Sequence, residues 1–324
     1  MQIQVIGGGS WGLALARHLA QNQQRVRLWC REEDEPETLR TTRYSPYYLT
    51  GVYLPEAVEV APDMAHKPDM VLYAVPSHAM RAVAARHVFP EHTVRISVAK
   101  GIENETLLTM STVIAEAAPG GPVVALSGPS HAEEVAHDLP TSIVAASMDH
   151  DARMAVQQAF MGANLRVYTT PDITGVEYGG ALKNVIAIAA GVCDGFQLGD
   201  SAKAALITRG LAEIRRLGEA CGAQPLTFSG LSGMGDLIVT CTSRHSRNRR
   251  LGEQLSQGLG LGEILGATRM VSEGVRTARS AHALAGKLGV DMPIAREVYA
   301  VLFEDRNPRD AIAALLLRDP KPEL

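Results

Sequence analysis

The sequence predicts an α/β protein with a doubly wound, mostly parallel sheet in its first half and an all-helical second half. Three observations carry this expectation. Short β-branched runs alternate with helical stretches up to about residue 170. A glycine triplet at G-x-G-x-x-G spacing stands between the first such run and the first helical stretch. Beyond residue 170 the strand signals give way to long segments rich in Ala, Leu and Gly, such as SAKAALITRGLAEIRRLGEACG.

In chain order, strands are expected at 2–6 (QIQVI), 25–29 (RVRLW), 69–75 (DMVLYAV), 94–98 (VRISV), 122–126 (PVVAL) and 142–146 (SIVAA). Helices are expected from about Trp11 to Gln21, Ser77 to Ala85, Thr106 to Ala117 and Ser130 to Val135. That βαβ rhythm defines an N-terminal Rossmann domain over residues 1–170. The Pro and Gly of TTPDITG (169–175) mark the boundary to a helical second domain over 171–324.

Length and composition agree with two such units. A chain of 324 residues exceeds one typical core, and 46% apolar with 20% charged residues describes an ordinary globular protein. The net charge of -4 gives no global attraction to nucleic acid or an anionic membrane, so anion binding must be local. Four widely spaced cysteines, Cys30, Cys193, Cys221 and Cys241, fit thiols in a reducing compartment, and MQIQVIGGGS has no basic n-region or long apolar h-region. A cytoplasmic location is therefore expected. The most apolar run, Val185 to Cys193, is shorter than the ~20 residues of a membrane helix, so no membrane insertion is expected.

The first functional signal is QVIGGGSWGLALARHLA. Gly7 allows the tight turn, Gly9 lets a pyrophosphate approach the backbone, and Gly12 lets helix and strand pack closely. The bland alternative is a glycine-rich turn without a ligand; the strand before and the helix after favour a dinucleotide. The second strand runs on into RLWCREED, which places Arg31 ahead of Glu32 and Glu33. Arg31 suits a 2′-phosphate and favours NADP, whereas a ribose contact from Glu32 would favour NAD; a solvated Arg31 is the third reading.

Further candidates follow later strands. Lys100 in AKGIE either points into the crevice beside the cofactor or is a solvated loop lysine. In ALSGPSHAEEV, Gly128 and Ser130 either offer donors to a ligand or build a turn and a helix cap. In YGGALKNVIAIAAGVCDG, positions 183, 187, 190 and 194 share a helix face as Lys, Ala, Ala and Asp. Lys183 then stands at the mouth of a cleft, beside Asn184, or else snorkels to solvent. Asp236 and Thr240 in GDLIVT share a face if Asp236 opens a helix. Ser246, Arg247 and Asn248 precede LGEQL, where a serine-capped helix start and a guanidinium fork make a small phosphate site. The run Arg244 to Arg250 is short and lacks aromatics, which argues against a nucleic-acid patch. His131 and His245 lack metal-ligand spacing, and no metal site is expected.

Together GGGSWGLALA, AVPSHAMR, KGIE, SGPSHAEEV, GGALKNVIAIAAGVCDG, AALITRGLAEI, SGMGDLIVTCTSRHSRN, VSEGVRTA and MPI resemble the bacterial-type NAD(P)-dependent glycerol-3-phosphate dehydrogenase family over nearly the whole chain. The resemblance implies interconversion of sn-glycerol 3-phosphate and dihydroxyacetone phosphate, and a role in supplying glycerol phosphate for phospholipids. By that likeness Lys183 is the general acid/base, and Ser10, Trp11 and Arg31 hold the dinucleotide. Lys100 contacts cofactor and substrate, Gly128 and Ser130 the substrate, and Ala132 the cofactor. Asp236, Thr240, Ser246, Arg247 and Asn248 complete the substrate side, with Arg247 also reaching the cofactor. Val271 and Glu273 touch the nicotinamide half.

His131, Ser201 and Ser272 depart from the residues usual at their positions in that family, which bears on substrate geometry rather than on the reaction. The runner-up readings are another two-domain hydroxyacid dehydrogenase or ketopantoate reductase, and a non-catalytic dinucleotide sensor. The expected partner is a small phosphorylated substrate, with a homodimer as the expected assembly. The expected chemistry is proton donation to the ketone by Lys183, oriented by Asp236 and Thr240, with its pKa lowered by burial and by Lys100.

Overall fold

The computed structural model describes residues 1–65, 67–267 and 271–320; the last four residues assigned to the helical domain thus lie outside the described residues. β1 (Gln2–Ile6), β2 (Arg25–Trp29), β3 (Val58–Val60), β4 (Met70–Tyr73), β5 (Val94–Ser97), β6 (Val123–Ser127), β7 (Thr141–Ala146) and β8 (Leu165–Thr170) form one sheet in the order β3-β2-β1-β4-β5-β6-β7-β8. Every neighbouring pair is parallel except β6 and β7. The order reverses direction at β1 and β4, the place where such sheets hold ligands at their carboxyl ends.

β4 (MVLY) reads as a continuous apolar run, and β1 (QIQVI) is buried from Ile3 to Ile6, because helices cover both faces of the sheet. α1 (Ser10–Gln21) and α6 (His150–Phe160) pack on one face through Leu15, Leu19, Val156 and Phe160. α3 (Met80–Ala84) and α4 (Met110–Ala117) cover the other through Met80, Val113 and Ile114. α2 (Pro36–Thr42) follows β2, and α5 (Ala132–Ala136) follows β6 against α1.

All six expected strands are present. β3 and β8 are additional, because three residues (VEV) are too few for a periodic signal and LRVYTT alternates buried with exposed positions at the sheet edge. α2 and α6 were likewise not foreseen. The helix expected from Thr106 begins at Met110, since Leu107 holds a positive φ of 63° and Ile102 bridges Thr109 in a small hairpin.

After Thr170 the chain is helical: α7 (Ile173–Gly195), α8 (Asp200–Ala220), α9 (Asp236–Thr242), α10 (Arg247–Ser256), α11 (Leu261–Gly266), α12 (Glu273–Leu288), α13 (Pro293–Phe303) and α14 (Pro308–Leu316). α7 starts where Asp172 accepts a hydrogen bond from the Gly175 amide at 2.9 Å, an N-cap that also receives Thr227 Oγ1 at 2.5 Å. This helix is far longer than its apolar run, and it is long and apolar enough by composition to cross a membrane. Yet 94% of its apolar window is buried inside the protein, so it is the central helix of the core. α8, α10, α12 and α13 pack around it through Ile186, Ile188, Ile214, Leu251, Ala278 and Ile294. Gly191 and Gly252 let α7 and α10 cross closely, because a Cβ on either would collide with a main-chain oxygen of the other helix.

Candidate active site

The loop after β1 is built by its glycines. Gly7 has φ 123°, and a Cβ there would strike the Ala74 carbonyl; a Cβ on Gly12 would strike the Gly7 carbonyl. Gly9 faces open space and precedes α1 without a side-chain cap, so the amides at the helix start stay available to an anion. Trp11 packs with Ala132 and Val135, and its indole Nε1 is buried without a partner among the described residues. At the end of β2, Arg31 donates from Nε and Nη2 to the buried Asp34 at 3.2 and 2.9 Å. Its side chain remains 62% exposed.

A glutamate from the helical half reaches the same edge of the sheet. Glu273, first residue of α12, accepts the Ser77 amide at 2.9 Å and the Ser77 hydroxyl at 2.6 Å in the turn after β4. Gly101 lies against both side chains, where a Cβ would sit 2.5 Å from Ser77 Cβ.

The loops after β5 and β6 meet α7 and α9. Lys100 donates to Asp236 Oδ2 at 2.7 Å and to the Gly128 carbonyl at 3.0 Å. Lys183 donates to Asp236 Oδ1, and to Thr240 Oγ1 at 2.7 Å. Asp236 does open α9, after a wide turn closed by Gly235 N to Gly230 O at 3.1 Å, and so shares a face with Thr240. The glycines before the lysine permit this approach: a Cβ on Gly179 would lie 2.6 Å from the Ser232 carbonyl, and one on Gly180 would lie 2.7 Å from Ser127 Oγ.

Two expectations are corrected here. Lys183 neither snorkels nor stands at a cleft mouth; it is 5% exposed, and its ammonium donates to Asp236 and Thr240. Asp194, at the far end of its helix face, pairs with Lys203 and Arg249. Ser130 does not cap α5, whose N-cap is His131; its hydroxyl donates to the Gly128 carbonyl at 3.2 Å.

Asn184 and Asn248 form the next link. Asn184 Nδ2 donates to the Lys100 carbonyl at 3.3 Å and its Oδ1 accepts Asn248 Nδ2 at 3.0 Å, while Asn248 Oδ1 accepts the Gly274 amide at 3.1 Å. The asparagine pair thus fixes Lys100, α7, α10 and α12 relative to one another. Ser246 caps α10 as expected, accepting the Arg249 amide at 3.3 Å. Arg247 is exposed and donates to the Val271 carbonyl at 2.9 Å.

This geometry gathers Lys100, Lys183, Asp236 and Thr240 where the loops after β5 and β6 meet α7 and α9. Residues 2–153 match the family described as NAD-dependent glycerol-3-phosphate dehydrogenase N-terminus, and residues 172–313 match its C-terminus. This chain belongs to the NAD-dependent glycerol-3-phosphate dehydrogenase family. It is 50% identical to glycerol-3-phosphate dehydrogenase [NAD(P)+] 1 of Salinibacter ruber, over 99% of this chain and 96% of that one. It is 49% identical to the Pelotomaculum thermopropionicum protein named glycerol-3-phosphate dehydrogenase [NAD(P)+], over 100% and 95%. The crystal structure of glycerol-3-phosphate dehydrogenase from Coxiella burnetii superposes with a TM-score of 0.93 at 37% identity, covering 98% of this chain and 99% of that one. A Ralstonia eutropha ketopantoate reductase shares the fold at 15% identity and a TM-score of 0.60.

The electrostatics of this glycerol-3-phosphate dehydrogenase site centre on Lys183. Burial lowers its pKa to about 7; Asp236 opposes that shift and the neighbouring charge of Lys100 adds to it. Burial also lowers the pKa of His131, helped by the charges of Lys183 and Lys100. Among the described residues no three His, Cys, Asp or Glu side chains are grouped to hold a metal ion.

Sequence reasoning named Lys100, Lys183, Asp236 and Thr240 but took Ser77, in AVPSHAMR, only as the start of a helix. Its partner Glu273 is 196 positions away, so no local pattern could pair them. The Gly179–Gly180 pair ahead of Lys183 was a readable signal for close approach.

Proposed function

We propose that the protein interconverts sn-glycerol 3-phosphate and dihydroxyacetone phosphate with NAD(P), and that Lys183 is the general acid and base. The observation that carries this reading is the buried Lys183 ammonium, held by Asp236 and Thr240 with a pKa of about 7. An ordinary lysine gives up its proton too reluctantly at neutral pH, whereas one poised near 7 donates to a ketone oxygen and recovers a proton from an alcohol.

The residues present fit a dinucleotide. The glycine loop and α1 start would take the pyrophosphate, and the unpartnered Trp11 Nε1 and neighbouring Ala132 line the same region. Arg31 would take a 2′-phosphate, so NADP is favoured over NAD. A bound nicotinamide supplies or accepts the hydride. Glu273 and Val271 would flank its ring.

On the substrate side, Lys100 and Lys183 would approach the carbonyl oxygen, Lys183 giving its proton as the hydride arrives and taking it back in the reverse direction. Asp236 keeps both ammonium groups oriented and offsets their charge. Gly128 and Ser130 would border the substrate. Ser246, Arg247 and Asn248 at the start of α10 would anchor its phosphate, fixing the distance from the reacting carbon. Asn248 acts there mainly by positioning, since both ends of its amide bind protein groups. A division into domains at 170/171 matches this scheme, with the cofactor on the sheet and the proton donor on the helices. The wider reading is a cytoplasmic homodimer that supplies glycerol phosphate for phospholipid synthesis.

Lys183→Ala tests this directly. It should cut kcat by about 10² or more and leave cofactor affinity nearly intact. Near-normal turnover would remove Lys183 from the chemistry. A silent dinucleotide sensor would have no use for a buried lysine tuned in this way.

A further inference from the structure

His131 immediately precedes α5, and its imidazole Nε2 is buried without a hydrogen-bond partner among the described residues. Leaving such a group unsatisfied is costly, so its persistence needs a reason. Three observations define its surroundings. It follows Gly128, whose carbonyl receives Lys100. Its ring centroid lies 5.7 Å from that of His245, tilted by 50°, in the turn just before the Ser246 cap of α10. Its charged neighbours are Lys183 and Lys100 toward the proton-transfer centre, and Glu133 and Glu134 on its own helix. His131 therefore stands between the reacting end of the site and the start of α10.

We propose that His131 is a substrate-contacting residue, with Nε2 hydrogen-bonded to the phosphate group of the triose phosphate. A neutral imidazole carries one N–H, and the tautomer protonated at Nε2 donates it to a phosphate oxygen. A phosphate dianion beside the ring also favours the imidazolium, which strengthens the contact on binding. The proposal rests on the phosphate being anchored at the start of α10.

The test compares His131→Phe, which keeps an aromatic ring without a donor, with His131→Gln, which keeps an N–H. Each is assayed with dihydroxyacetone phosphate and with unphosphorylated dihydroxyacetone. The Phe variant should lower the ratio of the two kcat/KM values about tenfold or more, through KM for the phosphorylated substrate, and the Gln variant should recover much of that loss. An unchanged ratio, or equal loss on both substrates, overturns the proposal. If the Phe variant does not fold, His131→Leu takes its place. Arg247→Ala is assayed in parallel: a raised KM there with a silent His131→Phe removes His131 alone, whereas silence in both also removes the phosphate from the start of α10.

Discussion

Lys183 donates to Oδ1 of Asp236 and leaves the other carboxylate oxygen to Lys100. One buried carboxylate thus orients two ammonium groups, and its two donors come from opposite halves of the chain. Breaking such a pair by removing one partner is far more disruptive than its net contribution to stability suggests. The arrangement suits a site where charge on Lys183 must come and go within each turnover.

Cofactor choice should depend on Arg31. Its guanidinium is held in a fork on Asp34 yet is largely exposed, which leaves donors free for a phosphate. Arg31→Ala should raise KM for NADPH about tenfold or more, the scale of a lost charge-assisted hydrogen bond, and change KM for NADH much less. Steady-state titration with both cofactors checks this, and an unaltered NADPH/NADH ratio removes Arg31 from the 2′-phosphate site.

The crossing of α7 and α10 should tolerate no side chain at Gly252. A Cβ there would run into the Ile188 carbonyl and lie 2.9 Å from the Val192 amide nitrogen. Because α7 carries Lys183 and α10 carries Ser246 to Asn248, a shift at this crossing also reaches the site. Gly252→Ala should lower stability by about 1–3 kcal/mol, the usual cost of overpacking, visible as a reduced Tm. An unchanged Tm would show that the helices can separate without loss.

Glu213 gives a stability prediction with a defined sign. It is 1% exposed and accepts the Ile294 and Ala295 amides at 2.8 and 3.2 Å at the start of α13. Burial raises its pKa from 4.5 to about 7 despite those bonds. The folded state then binds more protons than the unfolded state between these values, so this group's contribution falls as pH rises from about 4.5 through about 7. Glu213→Gln cannot ionise. Its stability relative to wild type should therefore improve by a few kcal/mol, in order of magnitude, across that window. Denaturant unfolding at several pH values measures the difference, and a constant difference contradicts the assignment.

Much of this architecture is written locally in the chain. The β-branched runs at 2–6 and 94–98 lie between covered faces, so they read as strands; VEV at 58–60 is too short to do so. The glycine triplet and the Asp236/Thr240 spacing are local signals that geometry alone can interpret. What local pattern could not reveal is burial. Read alone, Lys183 fits a snorkelling side chain, because its partner Asp236 lies 53 positions away on another helix. Ser77 with Glu273, and His131 with His245, are likewise long-range meetings of single polar residues that leave no periodic trace.

The pH dependence of kcat/KM, measured in both directions on the wild-type enzyme, tests the role of Lys183 most directly, since this quantity reports ionisations of the free enzyme. Ketone reduction needs the protonated lysine, so its kcat/KM should fall as pH rises through about 7. Alcohol oxidation needs the neutral lysine, and its kcat/KM should rise through the same value. Opposed limbs meeting near that pH are the predicted result; profiles that are flat, or that move in the same direction, would contradict the account.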